Sequence, residues 1–171
     1  GFRCKFGEDF LTDDSIKNFA CSLAYYYLGN GFNDPILIAR DTRNSGQIIE
    51  SILVDTLINQ GIDVCLANVL PTPGLSKILQ LNQYAFGCMI TASHNHHDDN
   101  GIKLLESSGF KISLKAQDTI ENFMLEEKVP NPQLLKSAGA LSEYKNAFET
   151  YALKMVKAIN LNYTNESILV D

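Results

Sequence analysis

Pro35-Ile36-Leu37-Ile38-Ala39-Arg40-Asp41-Thr42-Arg43 is the stretch on which the fold turns. Four consecutive apolar residues with no polar alternation read as a strand covered on both faces, the habit of parallel sheets packed between helices. Proline fixes the φ of the residue before the run, and Asp41-Thr42-Arg43 reads as a loop leaving the strand's carboxyl end. On the C-terminal side, Ser45 is a candidate cap for a helix. Its Ile48, Ile49, Ile52, Leu53, Thr56 and Leu57 keep i, i+3/i+4 spacing until Gly61. On the N-terminal side, Thr12, Asp13 and Asp14 open a helix over 12–28 with Ile16, Phe19, Leu23 and Tyr26 on one face, and Gly29-Asn30-Gly31 closes it.

The same alternation continues. Residues 63–70 read as a second buried strand, Pro71-Thr72-Pro73 as a rigid turn into a helix over 75–81, and residues 86–91 as a third strand. Ile102-Lys103-Leu104-Leu105 follows as a fourth strand, with Asp99-Asn100-Gly101 before it carrying the signal of a hairpin turn. A helix is expected over 115–127 and a linker over 128–140, which holds two prolines and a glycine. Ser142 then reads as the cap of a helix with Tyr144, Phe148, Tyr151, Met155 and Ile159 on one face, before strand-like Ile168-Leu169-Val170. Strands alternating with helices predict an α/β fold: a mostly parallel, mixed sheet sandwiched between helices and joined by right-handed crossovers. Residues 1–138 are expected to form this first domain and residues 139–171 the start of a second α/β domain. The first residue is not Met and the last stretch is strand-like, so both ends are expected to be cuts in a longer chain.

Composition narrows the class of partner. The 171 residues are 45 % hydrophobic and 20 % charged, an ordinary globular balance with enough apolar material for one sizeable core. A formal net charge of -6 and the lack of any Lys/Arg-rich run argue against nucleic acid as the main partner, while a small phosphorylated ligand needs only a few placed cations. Cys4, Cys21, Cys65 and Cys88 are scattered with no Cys-x-x-Cys pair, which reads as reduced packing thiols and a cytoplasmic location. No apolar run approaches the roughly 20 residues of a membrane span.

Ligands of open α/β sheets bind beyond the carboxyl ends of the parallel strands, where helix N-termini point amide groups at them. Three polar clusters follow strands directly: Asp41-Thr42-Arg43, Pro71-Thr72-Pro73 and Thr91-Ala92-Ser93-His94-Asn95. Ser93 is the nucleophile candidate among them. A serine hydroxyl needs a base or charge neutralisation to react at neutral pH, and His94 and Lys103 lie near it in sequence. Arg3 and Arg43 offer the fixed positive charge on which phosphoryl transfer relies. Several of these residues have a plainer reading: Ser93 as a strand-end turn residue, Asp41 and Arg43 as a local surface ion pair, Arg3 as a solvated terminal arginine. His94, His96 and His97 with Asp98 and Asp99 also invite a metal reading, although adjacent side chains on a short loop seldom converge on one ion.

Thr91-Ala92-Ser93-His94-Asn95 followed by Asp99-Asn100-Gly101-Ile102-Lys103 resembles the active-site serine loop of the α-D-phosphohexomutases. The order of the other motifs agrees: Gly1-Phe2-Arg3 is similar to the family's Gly-x-Arg loop, Asp41-Thr42-Arg43 with Ser45-Gly46 to its second motif, and Pro71-Thr72-Pro73 to its third. The Asp-Asn-Gly-Ile-Lys ending is most like the phosphoglucosamine mutase branch. The resemblance implies that Ser93 carries a phosphoryl group and passes it to a hexosamine 6-phosphate, with a bisphosphate returning its other phosphoryl group to the serine and leaving the 1-phosphate. It implies that His94 and Asn95 line the phosphoserine, that Lys103 and Arg3 assist proton transfer and neutralise charge, and that Asp41, Arg43 and Asn100 belong to the phosphate-binding loops. It also implies Mg²⁺ bound through the phosphate of Ser93, oxygen being the ligand such a hard cation prefers.

Two departures from the family pattern stand in this chain: His96 where proline usually follows Ser-His-Asn, and Cys4 where glycine usually follows Gly-x-Arg. The family's metal-binding, sugar-recognition and C-terminal phosphate loops correspond to positions past Asp171. Three functions are therefore carried forward. The first is a phosphohexose mutase acting on a small phosphosugar, with glucosamine phosphate ahead of mannose or glucose phosphate and a homodimer left open. The second is a metal-dependent hydrolase using the histidine loop, and the third a non-enzymatic phosphate-binding domain.

Overall fold

The computed structural model describes residues 3–127 and 137–158. In chain order the elements are β1 (Arg3–Lys5), α1 (Asp13–Gly29), β2 (Ile36–Arg40), α2 (Gly46–Asn59), β3 (Val64–Val69), α3 (Thr72–Leu81), β4 (Phe86–Ile90), β5 (Asp99–Glu106), α4 (Leu114–Leu125), β6 (Leu141–Glu143) and α5 (Ala147–Ala158). The expected strands and helices between 12 and 127 are present within a few residues of their expected bounds, and β1 is an additional strand. The expected strand at 168–170 and most of the expected linker lie outside the described residues.

Helix α1 starts where its sequence says it should. Thr12 is extended (φ -78, ψ 159) and its hydroxyl accepts from the Ser15 amide at 3.2 Å, satisfying an otherwise orphaned N–H, while Asp13 and Asp14 sit in the first turn against the positive end of the helix dipole. Ser45 differs from expectation. It precedes α2 with helical φ/ψ and makes no side-chain cap, because its hydroxyl instead accepts from Asn100 Nδ2 at 3.0 Å. The buried line of α2 is Ile49, Leu53, Val54 and Leu57, and Ile48 is exposed.

The six strands form one mixed sheet in the order β1-β5-β4-β2-β3-β6. Strands β4, β2, β3 and β6 are parallel neighbours, β5 runs antiparallel to β4, and β1 antiparallel to β5. The unbroken apolar character of β2 follows from its central place. Ile36 and Ile38 belong to the core under α1, α2 and α4, while Leu37 and Ala39 belong to the core under α3 and α5. A side-chain period of two with both faces covered leaves no position for a polar residue.

Two corrections concern turns. Asp99-Asn100-Gly101 is not a hairpin turn; it is the first part of β5, pairing with Lys5, Cys4 and Arg3 in turn. The short β1 recruits it, and Asn100 is fully buried there. Ser142 does not cap a helix, since it lies in β6 with its hydroxyl donating to the Val64 carbonyl at 3.2 Å, and α5 begins only after Asn146. Tyr144 and Tyr151 pack partly against the α3 side of the core, but Phe148, Leu153, Met155 and Val156 are exposed. Residues 141–143 thus extend the same sheet beside β3, and α5 packs on α3.

Candidate active site

Strand β2 leads through α2 to β3 on one side, whereas β4 lies on β2's other side. The crossovers diverge at the β2/β4 seam, so a crevice opens beyond the carboxyl ends of these two strands, the position where α/β sheets hold ligands. The loops carrying Asp41 and Ser93 leave β2 and β4 there, and the Pro71 turn leaves β3 beside them.

Across the seam the Thr91 hydroxyl donates to Asp41 Oδ2 at 2.6 Å and accepts from the Ser93 amide at 2.9 Å. Asp41 also accepts from Arg43, through Nε at 3.0 Å and the backbone amide at 3.1 Å. Thr91 is buried, whereas Ser93 is exposed with φ 61, a left-handed conformation that costs a non-glycine residue free energy and needs outside support.

Arg43 supplies that support. Its Nη2 donates to the carbonyls of Ser93 at 2.9 Å and Asn95 at 3.1 Å, and its Nη1 to those of Asp99 at 2.9 Å and His96. The guanidinium side chain is only 10 % exposed, and its donors are spent on Asp41 and four carbonyls. The sequence reading placed Arg43 among phosphate-binding groups; in the fold it is the peg around which the serine loop winds.

Asn95 bridges outward, donating to Asp99 Oδ2 at 3.2 Å and accepting from Arg3 Nη1 at 3.4 Å. Arg3 is therefore not a free-standing terminal side chain. It shares a cavity of about 370 Å³ with Thr72, Thr91, Lys103 and Lys111, floored by apolar residues such as Phe19 and Ile120. Ser93 stands on the loop beside this cavity. Lys103, on β5, has its pKa lowered from 10.5, first by burial and then by the charge of Arg3, with Asp41 opposing. An amine so placed gives up its proton more readily than a solvated lysine. Asn100 does not face the crevice: it is buried, tied to Ser45 and to the Gly101 amide at 2.9 Å, and holds the base of β5 against the start of α2. His94 is exposed next to Ser93, and His96, His97 and Asp98 gather further along the loop.

Residues 1–130 match the family described as phosphoglucomutase/phosphomannomutase, alpha/beta/alpha domain I. This chain belongs to that family. Its similarity to the phosphoglucosamine mutase of Listeria welshimeri is 34 % identity over 143 residues, covering 82 % of this chain and 32 % of that protein. For the phosphoglucosamine mutase of Ligilactobacillus salivarius the figures are 36 % over 138 residues, 80 % of this chain and 30 % of the relative. The chain thus spans about a third of the length of the curated relatives it matches. A crystal structure of a phosphoglucomutase/phosphomannomutase family protein from Burkholderia thailandensis shares the fold, with TM-score 0.78 at 21 % identity over 95 % of this chain and 35 % of that one.

Within this phosphoglucomutase/phosphomannomutase fold, Thr91 is a residue that the sequence pattern includes in the serine loop without a role of its own. Its signal was positional: a β-branched hydroxyl residue at the end of a buried strand, two before the candidate nucleophile. A Mg²⁺ ion wants several oxygen ligands. Of the carboxylates on the loops around Ser93, Asp41 is committed to Arg43 and Thr91 and Asp99 to Asn95, while Asp98 lies with His96 and His97. A phosphate carried on Ser93 would supply oxygen of the kind this ion takes, without completing a coordination sphere among the described residues. No helix of the described residues is long and apolar enough to cross a membrane.

Proposed function

We propose that this chain is the nucleophile-bearing part of a cytoplasmic phosphohexose mutase, acting on glucosamine phosphate, with Ser93 as the residue that carries the phosphoryl group. The observation that supports it most is Ser93 itself: an exposed hydroxyl held at φ 61 beyond the β2/β4 seam by Thr91 and Arg43. The Asn95 amide closes a turn on the Ala92 carbonyl at 3.2 Å with Ser93 at its second position, and a non-glycine residue kept in that costly conformation suits a group that must meet substrate.

In this reading the 6-phosphate sugar is positioned by its charge against Arg3. The sugar's 1-hydroxyl attacks the phosphorus of phosphoserine, its O–P bond forms as the Ser93 Oγ–P bond breaks, and the hydroxyl proton passes to a nearby base. Lys103, with its lowered pKa, suits that proton transfer, and His94 flanks the serine oxygen that leaves. The resulting bisphosphate turns over and returns its 6-phosphoryl group to Ser93, leaving the 1-phosphate. Mg²⁺ bound through the Ser93 phosphate would neutralise charge there, its other oxygen ligands coming from beyond the described residues. A second domain starting in residues 139–171 and further domains, covering Phe148, Leu153 and Val156 of α5, would complete the site.

The test is peptide mass spectrometry of the full-length protein before and after incubation with glucosamine 1,6-bisphosphate and Mg²⁺. One phosphoryl group on Ser93, absent in Ser93→Ala, together with interconversion of glucosamine 6- and 1-phosphates, is the expected result. An unmodified Ser93 sinks the mechanism and leaves the phosphate-binding reading. Faster turnover of mannose or glucose phosphate moves the substrate within the family. A hydrolase of the histidine loop would keep its activity in Ser93→Ala.

A further inference from the structure

The turn between Asn95 and Asp99 carries two imidazoles and a carboxylate that the phosphoryl chemistry does not use. His97 Nε2 lies 3.2 Å from Asp98 Oδ1, His96 Nδ1 lies 3.6 Å from Asp98 Oδ2, and the ligand atoms of all three residues lie within 4.8 Å of one another. The two rings are side by side with centroids 4.1 Å apart. A tetrahedral ion with bonds of about 2.0–2.1 Å sets its ligand atoms about 3.3–3.4 Å apart, close to the His97–Asp98 separation, while His96 faces the other oxygen of the Asp98 carboxylate and, being exposed, has room to turn onto the same ion. The expectation that neighbours on a short loop diverge fails here because the turn folds back on itself, the Asp99 amide donating to the His96 carbonyl at 3.0 Å.

We propose that His96, His97 and Asp98 bind a first-row transition metal ion of the Zn²⁺, Co²⁺ or Ni²⁺ type, at a site separate from any Mg²⁺ on Ser93. The donor set decides the class of ion. Two imidazole nitrogens with one carboxylate oxygen suit these borderline metals, whereas Mg²⁺ takes oxygen and water. The turn is also braced before any ion arrives: Arg43 Nη1 donates to the carbonyls of both His96 and Asp99, pinning the peptide at its two ends. A turn whose backbone is already held loses less freedom on binding. The competing contact is long, the Asp98 amide donating to His96 Nδ1 at 3.5 Å. All three side chains are exposed, so water can complete the coordination sphere. His94 is not part of the group, which distinguishes this site from a three-histidine centre. His96 stands where the resembling family usually has proline, so the site is a feature of this chain rather than of the common loop.

The experiment is titration of the untagged full-length protein with Co²⁺ in the presence of excess Mg²⁺, which keeps the Ser93 site filled, followed by calorimetry and visible absorption. One equivalent is expected to bind with the spectrum of nitrogen and oxygen ligation. His96→Ala/His97→Ala should abolish it, Asp98→Asn should weaken it at least tenfold, and Ser93→Ala and a further excess of Mg²⁺ should leave it unchanged. Because the three residues are exposed, circular dichroism should show the variants folded. The proposal is overturned by absence of saturable uptake, by a thiolate-to-cobalt charge-transfer band, by uptake that survives the double variant, or by ready displacement by Mg²⁺. None of these outcomes depends on whether Ser93 is phosphorylated.

Discussion

Arg43 Nη2 donates to the backbone carbonyl of Ser93 at 2.9 Å, across 50 residues of chain. This bond joins the loop after β2 to the loop after β4, and the same side chain anchors three further carbonyls and the Asp41 carboxylate. The position of Ser93 therefore depends on a residue that has no donor left to offer a ligand.

Arg43→Lys keeps the positive charge and loses the planar fork. With the loop unpegged, kcat of the full-length enzyme should fall on the order of 10²-fold, the scale of a misplaced reacting group, with KM nearly unchanged. Steady-state kinetics check this. A large rise in KM with kcat preserved would mean that Arg43 holds substrate phosphate and that the peg is incidental.

Lys103→Met should raise stability while it lowers turnover. The folded protein disfavours the charged amine, through burial and then Arg3, so its pKa lies below the ordinary 10.5. Below the folded pKa the cost of that charge is borne in full; it fades as pH rises through the folded value toward 10.5. The variant's advantage in Tm should thus be present at pH 7 and shrink as pH is raised. Thermal unfolding at a series of pH values decides, and an advantage that stays constant with pH would assign it to packing alone.

Arg40→Ala should destabilise by about 3 kcal/mol in urea unfolding at pH 7, since it leaves a buried carboxylate without its cation. Arg40 Nε lies 3.3 Å from Glu50 Oε1, both side chains are 12 % exposed, and Glu50 Oε2 has no hydrogen-bond partner among the described residues. Burial raises the Glu50 pKa, against the lowering effect of Arg40, so protonation costs the folded state little. The loss on Arg40→Ala should accordingly be smaller near pH 4 than at pH 7. The first residue of α2 belongs to the same contact: a Cβ at Gly46 would stand 3.3 Å from Arg40 Cδ.

The sequence by itself determined the α/β class, the parallel strands β2, β3 and β4, the helices between them and the polar loops at the strands' carboxyl ends. These follow from local rules, because an apolar run such as 36–39 or a spacing such as Ile49, Leu53 and Leu57 reports which face each residue must bury. What tertiary structure alone decided are relationships between segments far apart in the chain. Asp99-Asn100-Gly101 has the composition of a turn and became strand because β1, nearly 100 residues earlier, pairs with it. Ser45 looks like a cap and gave its hydroxyl to buried Asn100. Arg43 looks like a phosphate ligand and became the peg of the serine loop, because the order β4-β2-β3 puts the ends of β2 and β4 side by side. Strand order is an outcome of packing both faces of the sheet at once, and no window of sequence contains it.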